Sequence, residues 1–102
     1  MRVLATKKSS LMPRVGRSVI LDDEGLKVAV FETSDGAIFA VEDYCPQTGG
    51  PVLEAVVSSH YIYEPMREYK ISLEDGKLQE PDEGQLRTFP VEVVGDEVFI
   101  EV

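Results

Sequence analysis

The chain alternates short apolar runs with turn residues along most of its length. Runs rich in Val, Ile, Leu, Phe and Tyr occupy residues 17–21, 26–32, 37–41, 60–63, 69–73, 86–94 and 97–102. Turn signals that contain Gly and Asp lie at residues 22–25, 34–36, 74–76 and 95–96. Runs of this kind are typical of β-strands, and Gly and Asp supply the positive φ angles of tight hairpins. The sequence therefore predicts an all-β fold built from antiparallel hairpins.

Helices are not expected in this chain. Its 6 prolines interrupt most candidate segments, and they stand at Pro13, Pro46, Pro51, Pro65, Pro81 and Pro90. A proline inside a helix removes a hydrogen bond and clashes with the preceding turn. Only residues 51–56 allow one short helical turn.

Length, charge and cysteine content restrict the class of protein. A chain of 102 residues is long enough for one compact domain, which we assign to residues 1–102. The formal net charge of −9 disfavours nucleic acid and anionic membrane surfaces as partners. The single Cys45 cannot form an intrachain disulfide, and no apolar run has the length of a signal peptide or a membrane span. We therefore expect a cytoplasmic protein.

Two proline-containing loops differ from the rest of the sequence. Residues 43–51 read Asp-Tyr-Cys-Pro-Gln-Thr-Gly-Gly-Pro, and residues 63–67 read Tyr-Glu-Pro-Met-Arg. Loops of fixed shape on a rigid scaffold often carry a functional site. We predict that these two loops approach each other.

The two loops resemble the ligand loops of the Rieske [2Fe-2S] family. That family has the pattern C-x-H followed by C-x-x-H, and the matching strings are Cys45-Pro46-Gln47 and Glu64-Pro65-Met66-Arg67, separated by residues 48–63. The resemblance implies a Rieske-like β-sandwich of two antiparallel sheets, with residues 43–73 as a small loop-built subdomain that corresponds to the cluster-binding one. Residues 81–91 are most similar to the small subunit of the cytosolic NAD(P)H-dependent nitrite reductase.

The chain departs from the family pattern at three of the four ligand positions. Cys45 keeps a thiol, but Gln47 replaces an imidazole and Glu64 replaces a soft thiolate with a hard carboxylate. The Arg67 guanidinium stays protonated and has no lone pair for iron. We therefore expect neither cluster nor other metal in this chain. The resemblance implies that a large partner subunit holds FAD, an iron-sulfur cluster and sirohaem.

Several arrangements of these side chains remain open at the level of sequence. A Glu64 to Arg67 ion pair, supported by the Gln47 amide, could fill the ligand site, or these three side chains could simply be solvated. Cys45 with His60 suggests a thiol nucleophile with a base, or a metal site with Glu64. His60 follows Ser58 and Ser59 at a predicted hairpin turn, where an exposed polar side chain is usual. Carboxylates at Glu42-Asp43 and near residues 80–83 are typical of solvated faces.

Aromatic and sulfur-containing side chains are concentrated around the two loops. If they are exposed there, they form an apolar patch with a polar rim, which is typical of a protein interface. The predicted interface consists of Tyr44, Gln47, Tyr63, Met66 and Arg67. The resemblance implies a non-catalytic subunit that docks on the large nitrite reductase subunit. The alternatives are a Rieske-type [2Fe-2S] ferredoxin for an oxygenase or reductase, and an interaction module of an unrelated complex.

Overall fold

The protein folds into three antiparallel sheets in a computed structural model that describes residues 1–21 and 25–102. The strands are β1 (Arg2–Lys7), β2 (Arg17–Ile20), β3 (Lys27–Glu32), β4 (Ile38–Glu42), β5 (Val56–Ser58), β6 (Tyr61–Tyr63), β7 (Lys70–Ser72), β8 (Thr88–Phe89), β9 (Val91–Val94) and β10 (Glu97–Glu101). One 3-10 turn, Lys8–Ser10, follows β1. The described residues contain no α-helix, and the all-β prediction is confirmed.

Each sheet has a simple strand order. The first sheet is β1-β10-β9, the second is β2-β3-β4-β8, and the third is β5-β6-β7. In the second sheet Val30 is paired with Ala40, and in the third Ile62 is paired with both Val57 and Ile71. The third sheet lies within residues 43–73, so the predicted subdomain contains a sheet of its own as well as loops.

The core lies on both faces of β3. Ala29 and Phe31 belong to the apolar cluster that includes the third sheet, whereas Val28 and Val30 belong to the cluster beneath the first sheet. Since alternate side chains of a strand point to opposite faces, this strand is buried on both sides. That burial explains why its sequence is a continuous apolar run and does not alternate.

Three features differ from the predicted strand pattern. The strands β1 and β5 were not predicted, and the single run at residues 86–94 is divided into β8 and β9 at Pro90. Proline lacks the amide hydrogen that a sheet ladder requires, which accounts for the division. The turn predicted at residues 22–25 lies outside the described residues except for Gly25, which has a φ of 78°.

The second and third sheets position the two loops. In the structure the first loop extends over residues 43–53 and leaves the end of β4. The second loop covers residues 64–69 and joins β6 to β7. Both loops therefore begin at the ends of paired strands, which fixes where each starts. Within the described residues, no helix has the length and apolar character needed to cross a membrane.

Candidate functional site

Backbone hydrogen bonds and one carboxylate fix the first loop. The amide of Cys45 donates to the carbonyl of Gly50 at 2.8 Å, which closes the loop on itself. The Oδ1 atom of Asp43 accepts hydrogen bonds from the amides of Val52 at 2.7 Å and Leu53 at 2.9 Å. Sequence reasoning treated this carboxylate as solvated and missed its role. The sequence feature that indicates this role is the position of Asp43 at the start of a Pro- and Gly-containing loop, where Asp commonly binds backbone amides.

The second loop is organised by the side chain of Glu64. This residue is 0% exposed, and its Oε2 atom accepts a hydrogen bond from the amide of Met66 at 3.0 Å. Its Oε1 atom accepts a second hydrogen bond from the amide of Arg67. The Glu64 amide also donates to the carbonyl of Tyr69 at 3.0 Å. One buried carboxylate therefore closes the turn by binding the backbone of its own loop.

The predicted ion pair between Glu64 and Arg67 does not form. The Arg67 side chain is exposed, and the ion pairs found among residues 1–21 and 25–102 do not include it. Both carboxylate oxygens of Glu64 are already bound to backbone amides. Those amides are held in place by the turn, so binding them requires no ordering of a long side chain. The ion-pair hypothesis is wrong for this reason.

Gln47 joins the first loop to a later segment of the chain. Its Nε2 atom donates to the carbonyl of Glu83 at 3.0 Å, and its Oε1 atom lies 3.9 Å from the Sγ of Cys45. A Cβ atom at Gly84, where φ is 138°, would lie 1.8 Å from the Nε2 of Gln47. The close approach therefore depends on glycine at this position. The amide of Gln47 binds these groups instead of supporting Arg67.

The two loops contact each other through Met66 and Gly50. A Cβ atom at Gly50 would lie 2.7 Å from the Sδ of Met66, so the thioether packs directly over the glycine backbone. The prediction that the two loops approach each other is confirmed. The contact places Met66 of the second loop against Gly50 of the first loop.

The residues at the four ligand positions do not fit a Rieske cluster. Such a centre requires two thiolates and two imidazoles. Here Cys45 is a buried free cysteine, and Glu64 has both oxygens bound to amides. Gln47 offers an amide, and Arg67 offers a cation. No group of three or more His, Cys, Asp or Glu side chains in the described part of the chain is arranged to hold a metal ion.

The pairing of Cys45 with His60 is not supported. The Nε2 of His60 lies 2.8 Å from Asp35 and its Nδ1 lies 3.2 Å from Glu74, so carboxylates occupy both ring nitrogens. Cys45 is 0% exposed and its Sγ faces Gln47. The two side chains therefore do not form a nucleophile with its base.

Exposed side chains surround the two loops. The side chains of Tyr44, Gln47, Met66 and Arg67 are exposed, with 46% of Tyr44 and 64% of Met66 accessible, whereas Tyr63 is half-buried. An open groove of about 860 Å³ runs beside the first loop. Its lining includes Tyr44, Gly50, Lys27 and Arg87. We call Tyr44, Gln47, Tyr63, Met66 and Arg67 the loop-tip surface. It combines aromatic and sulfur-containing side chains with a cation, a composition that is enriched in protein interfaces.

Solved structures resemble the chain over its whole length. One is a protein described as a candidate NADPH nitrite reductase small subunit, with 27% identity, a TM-score of 0.87, and coverage of 100% of this chain and 99% of that one. A second is a candidate NADH-dependent nitrite reductase small subunit from Mycobacterium tuberculosis, with 22% identity, a TM-score of 0.87, and coverage of 98% and 93%. A third is the ferredoxin of carbazole 1,9a-dioxygenase from Nocardioides aromaticivorans IC177, with 20% identity, a TM-score of 0.86, and coverage of 98% and 96%.

Sequence comparison assigns the family. No curated protein sequence gives a significant match. The family model for the Rieske-like [2Fe-2S] domain matches residues 3–101, which is nearly the whole chain. The sheets, the two loops at their ends and the spacing of the four ligand positions agree with this match. The chain therefore belongs to the Rieske-like [2Fe-2S] domain family.

Proposed function

We propose that this chain is a clusterless small subunit of an assimilatory NAD(P)H-dependent nitrite reductase. In this role it works in the cytoplasm and assists a large catalytic subunit in reducing nitrite to ammonium. The observation that carries the proposal is the end-to-end likeness, at 27% identity, to a candidate NADPH nitrite reductase small subunit. The match covers 100% of this chain and 99% of that one, so the likeness extends over both chains and is not limited to a local motif.

The chemistry of the ligand positions supports a structural role over electron transfer. A carboxylate bound to backbone amides and an exposed arginine cannot take the places of two iron ligands. Electron transfer in the complex then belongs to the large subunit, which would hold FAD, an iron-sulfur cluster and sirohaem. The small subunit would contribute binding energy to the complex and a surface of fixed shape for the large subunit.

The loop-tip surface is the proposed contact with the large subunit. Tyr and Arg are over-represented among the residues that dominate binding energy at interfaces. Met66 adds a flexible apolar side chain, of the type that adapts to a partner surface. Arg67 adds a charge that can be matched by a carboxylate. These properties support docking through the two loops.

Co-purification tests the proposal. The chain is produced together with the nitrite reductase large subunit encoded in the same genome, and the complex is isolated through a tag on the large subunit. We expect a stable complex and a higher rate of nitrite-dependent NAD(P)H oxidation than with the large subunit alone. Failure of the two proteins to associate would contradict the proposed partner.

A Rieske-type ferredoxin is the second candidate, because the chain is also similar in fold to a dioxygenase ferredoxin. Iron and acid-labile sulfide analysis of protein produced anaerobically in iron-replete medium separates the two functions. We expect a colourless protein with iron near zero. About two irons per chain, with a visible band that bleaches on reduction, would instead identify an electron carrier.

A further inference from the structure

Glu64 is an unusual residue because its carboxyl side chain is completely buried. It is 0% exposed, and among residues 1–21 and 25–102 its side chain binds two backbone amides and no cation. Burial of a carboxylate is costly unless its oxygens are hydrogen bonded. No buried side-chain oxygen or nitrogen in the described residues lacks a partner. The amides of Met66 and Arg67 are therefore the groups that satisfy the oxygens of this buried side chain.

The position of Glu64 corresponds to a cluster ligand in the Rieske pattern. An iron-sulfur cluster in such a site joins the two loops through its ligands, and its sulfurs accept hydrogen bonds. Here other groups perform both tasks. The carboxylate of Glu64 accepts hydrogen bonds from two backbone amides of the second loop. The packing of Met66 on Gly50 joins the two loops.

We infer that Glu64 is a positioning residue that takes the structural place of the cluster and holds the second loop in a fixed shape. The loop-tip surface is then assembled by folding alone. Its shape, and binding of the large subunit, do not depend on iron or on redox state. The statement about binding rests on the proposed function, whereas the statement about loop shape does not.

Glu64→Gln tests the inference with little change in volume. The carbonyl oxygen of glutamine can accept a hydrogen bond from one of the two amides. Its NH2 group is a donor, so it cannot accept a hydrogen bond from the other amide. We expect amide hydrogen exchange at Met66 and Arg67 to accelerate about tenfold or more, while exchange in β3 stays unchanged. The affinity for the large subunit should fall by about tenfold or more. Glu68→Gln is the matched control, since Glu68 is an exposed glutamate of the same loop.

Wild-type protein provides the second arm of the experiment. We expect a chelator and dithionite to leave its exchange rates and its affinity unchanged. Unchanged exchange in Glu64→Gln, an equal effect in Glu68→Gln, or a wild-type loop that loosens on iron removal would each overturn the inference. Accelerated exchange in Glu64→Gln, with wild-type protein that does not bind the large subunit, would support the role of Glu64 in loop shape and overturn the proposed partner.

Discussion

The Nε2 atom of His60 lies 2.8 Å from the Oδ2 of Asp35, and this contact joins two sheets. Asp35 belongs to the turn between β3 and β4, and His60 belongs to the turn between β5 and β6. The Nδ1 atom of the same ring lies 3.2 Å from the Oε2 of Glu74, which follows β7. A neutral imidazole has one N–H, so both contacts are hydrogen bonds only when the ring is protonated.

Replacement of His60 should lower stability in a pH-dependent way. Hydrogen bonds to Asp35 and then to Glu74 raise the pKa of His60 above its ordinary value of 6.5. Because the folded-state pKa is raised, the stabilisation is fully present below the unfolded value and is lost as pH rises through the folded value. We expect His60→Asn to lower Tm more at about pH 6 than at about pH 9, because the ring makes both hydrogen bonds only when it is protonated. An equal difference at both pH values would contradict the charge-dependent role of His60.

Replacement of Asp35 should lower stability with the opposite pH dependence. Hydrogen bonds from the Thr33 hydroxyl, first, and from His60 lower the pKa of Asp35 from 3.8 to about 2. Because this pKa is lowered, the stabilisation is present above 3.8 and is lost as pH falls toward 2. Asp35→Asn should therefore lower Tm at neutral pH and have less effect near pH 2. Asp75→Asn, at an exposed carboxylate in the turn after β7, is the control and should show less change.

A strand could be predicted from the sequence where the burial of its side chains matches the local pattern of apolar residues. The apolar run of β3 is visible because both faces of that strand are buried. The first strand was missed because its register shifts between Leu4 and Thr6, which breaks the alternation of side chains. Its partner β10 lies at the opposite end of the chain, and a local pattern carries no information about such a pairing.

The candidate site was located from the sequence, but its contacts were not. The resemblance to the Rieske ligand pattern indicated the positions of Gln47, Glu64 and Arg67. The partners of Glu64 are backbone amides, which every residue except proline offers, so residue identity does not indicate them. The partner of Gln47 is the carbonyl of Glu83, which is 36 residues away. Charge alone favoured the ion pair, because the competing backbone donors become visible only in the folded loop.

Packing in the third sheet should contribute strongly to the stability of the fold. Ile62 is fully buried in the central strand of this sheet. Ile62→Ala removes buried methyl and methylene groups and leaves a cavity, so we expect the free energy of unfolding in urea to fall by about 2–5 kcal/mol. The matched control is Ile20→Ala, since 64% of Ile20 is exposed, and it should change stability by about 0.5 kcal/mol or less. Equal losses in the two variants would contradict this core assignment.

Reversal of the charge at Arg67 should weaken binding to the proposed partner, the nitrite reductase large subunit. The Arg67 side chain is exposed at the loop-tip surface, in a chain with a net charge of −9. A cation there can attract a carboxylate on the partner despite the overall negative charge. We expect Arg67→Glu to reduce affinity by about tenfold or more, mainly through slower association, and the effect should shrink as salt rises.

Lys7→Glu is the charge-matched control for this experiment. It changes the net charge by the same two units, from −9 to −11, but Lys7 is an exposed residue at the end of β1 in the first sheet. Its long-range effect on association should therefore be similar, and any additional loss in Arg67→Glu reports a local contact. Arg67→Lys should retain part of the affinity, because it keeps the charge but not the paired donors of the guanidinium. If Arg67→Glu and Lys7→Glu weaken binding equally, the loop-tip surface is not the contact, and net charge alone explains the loss.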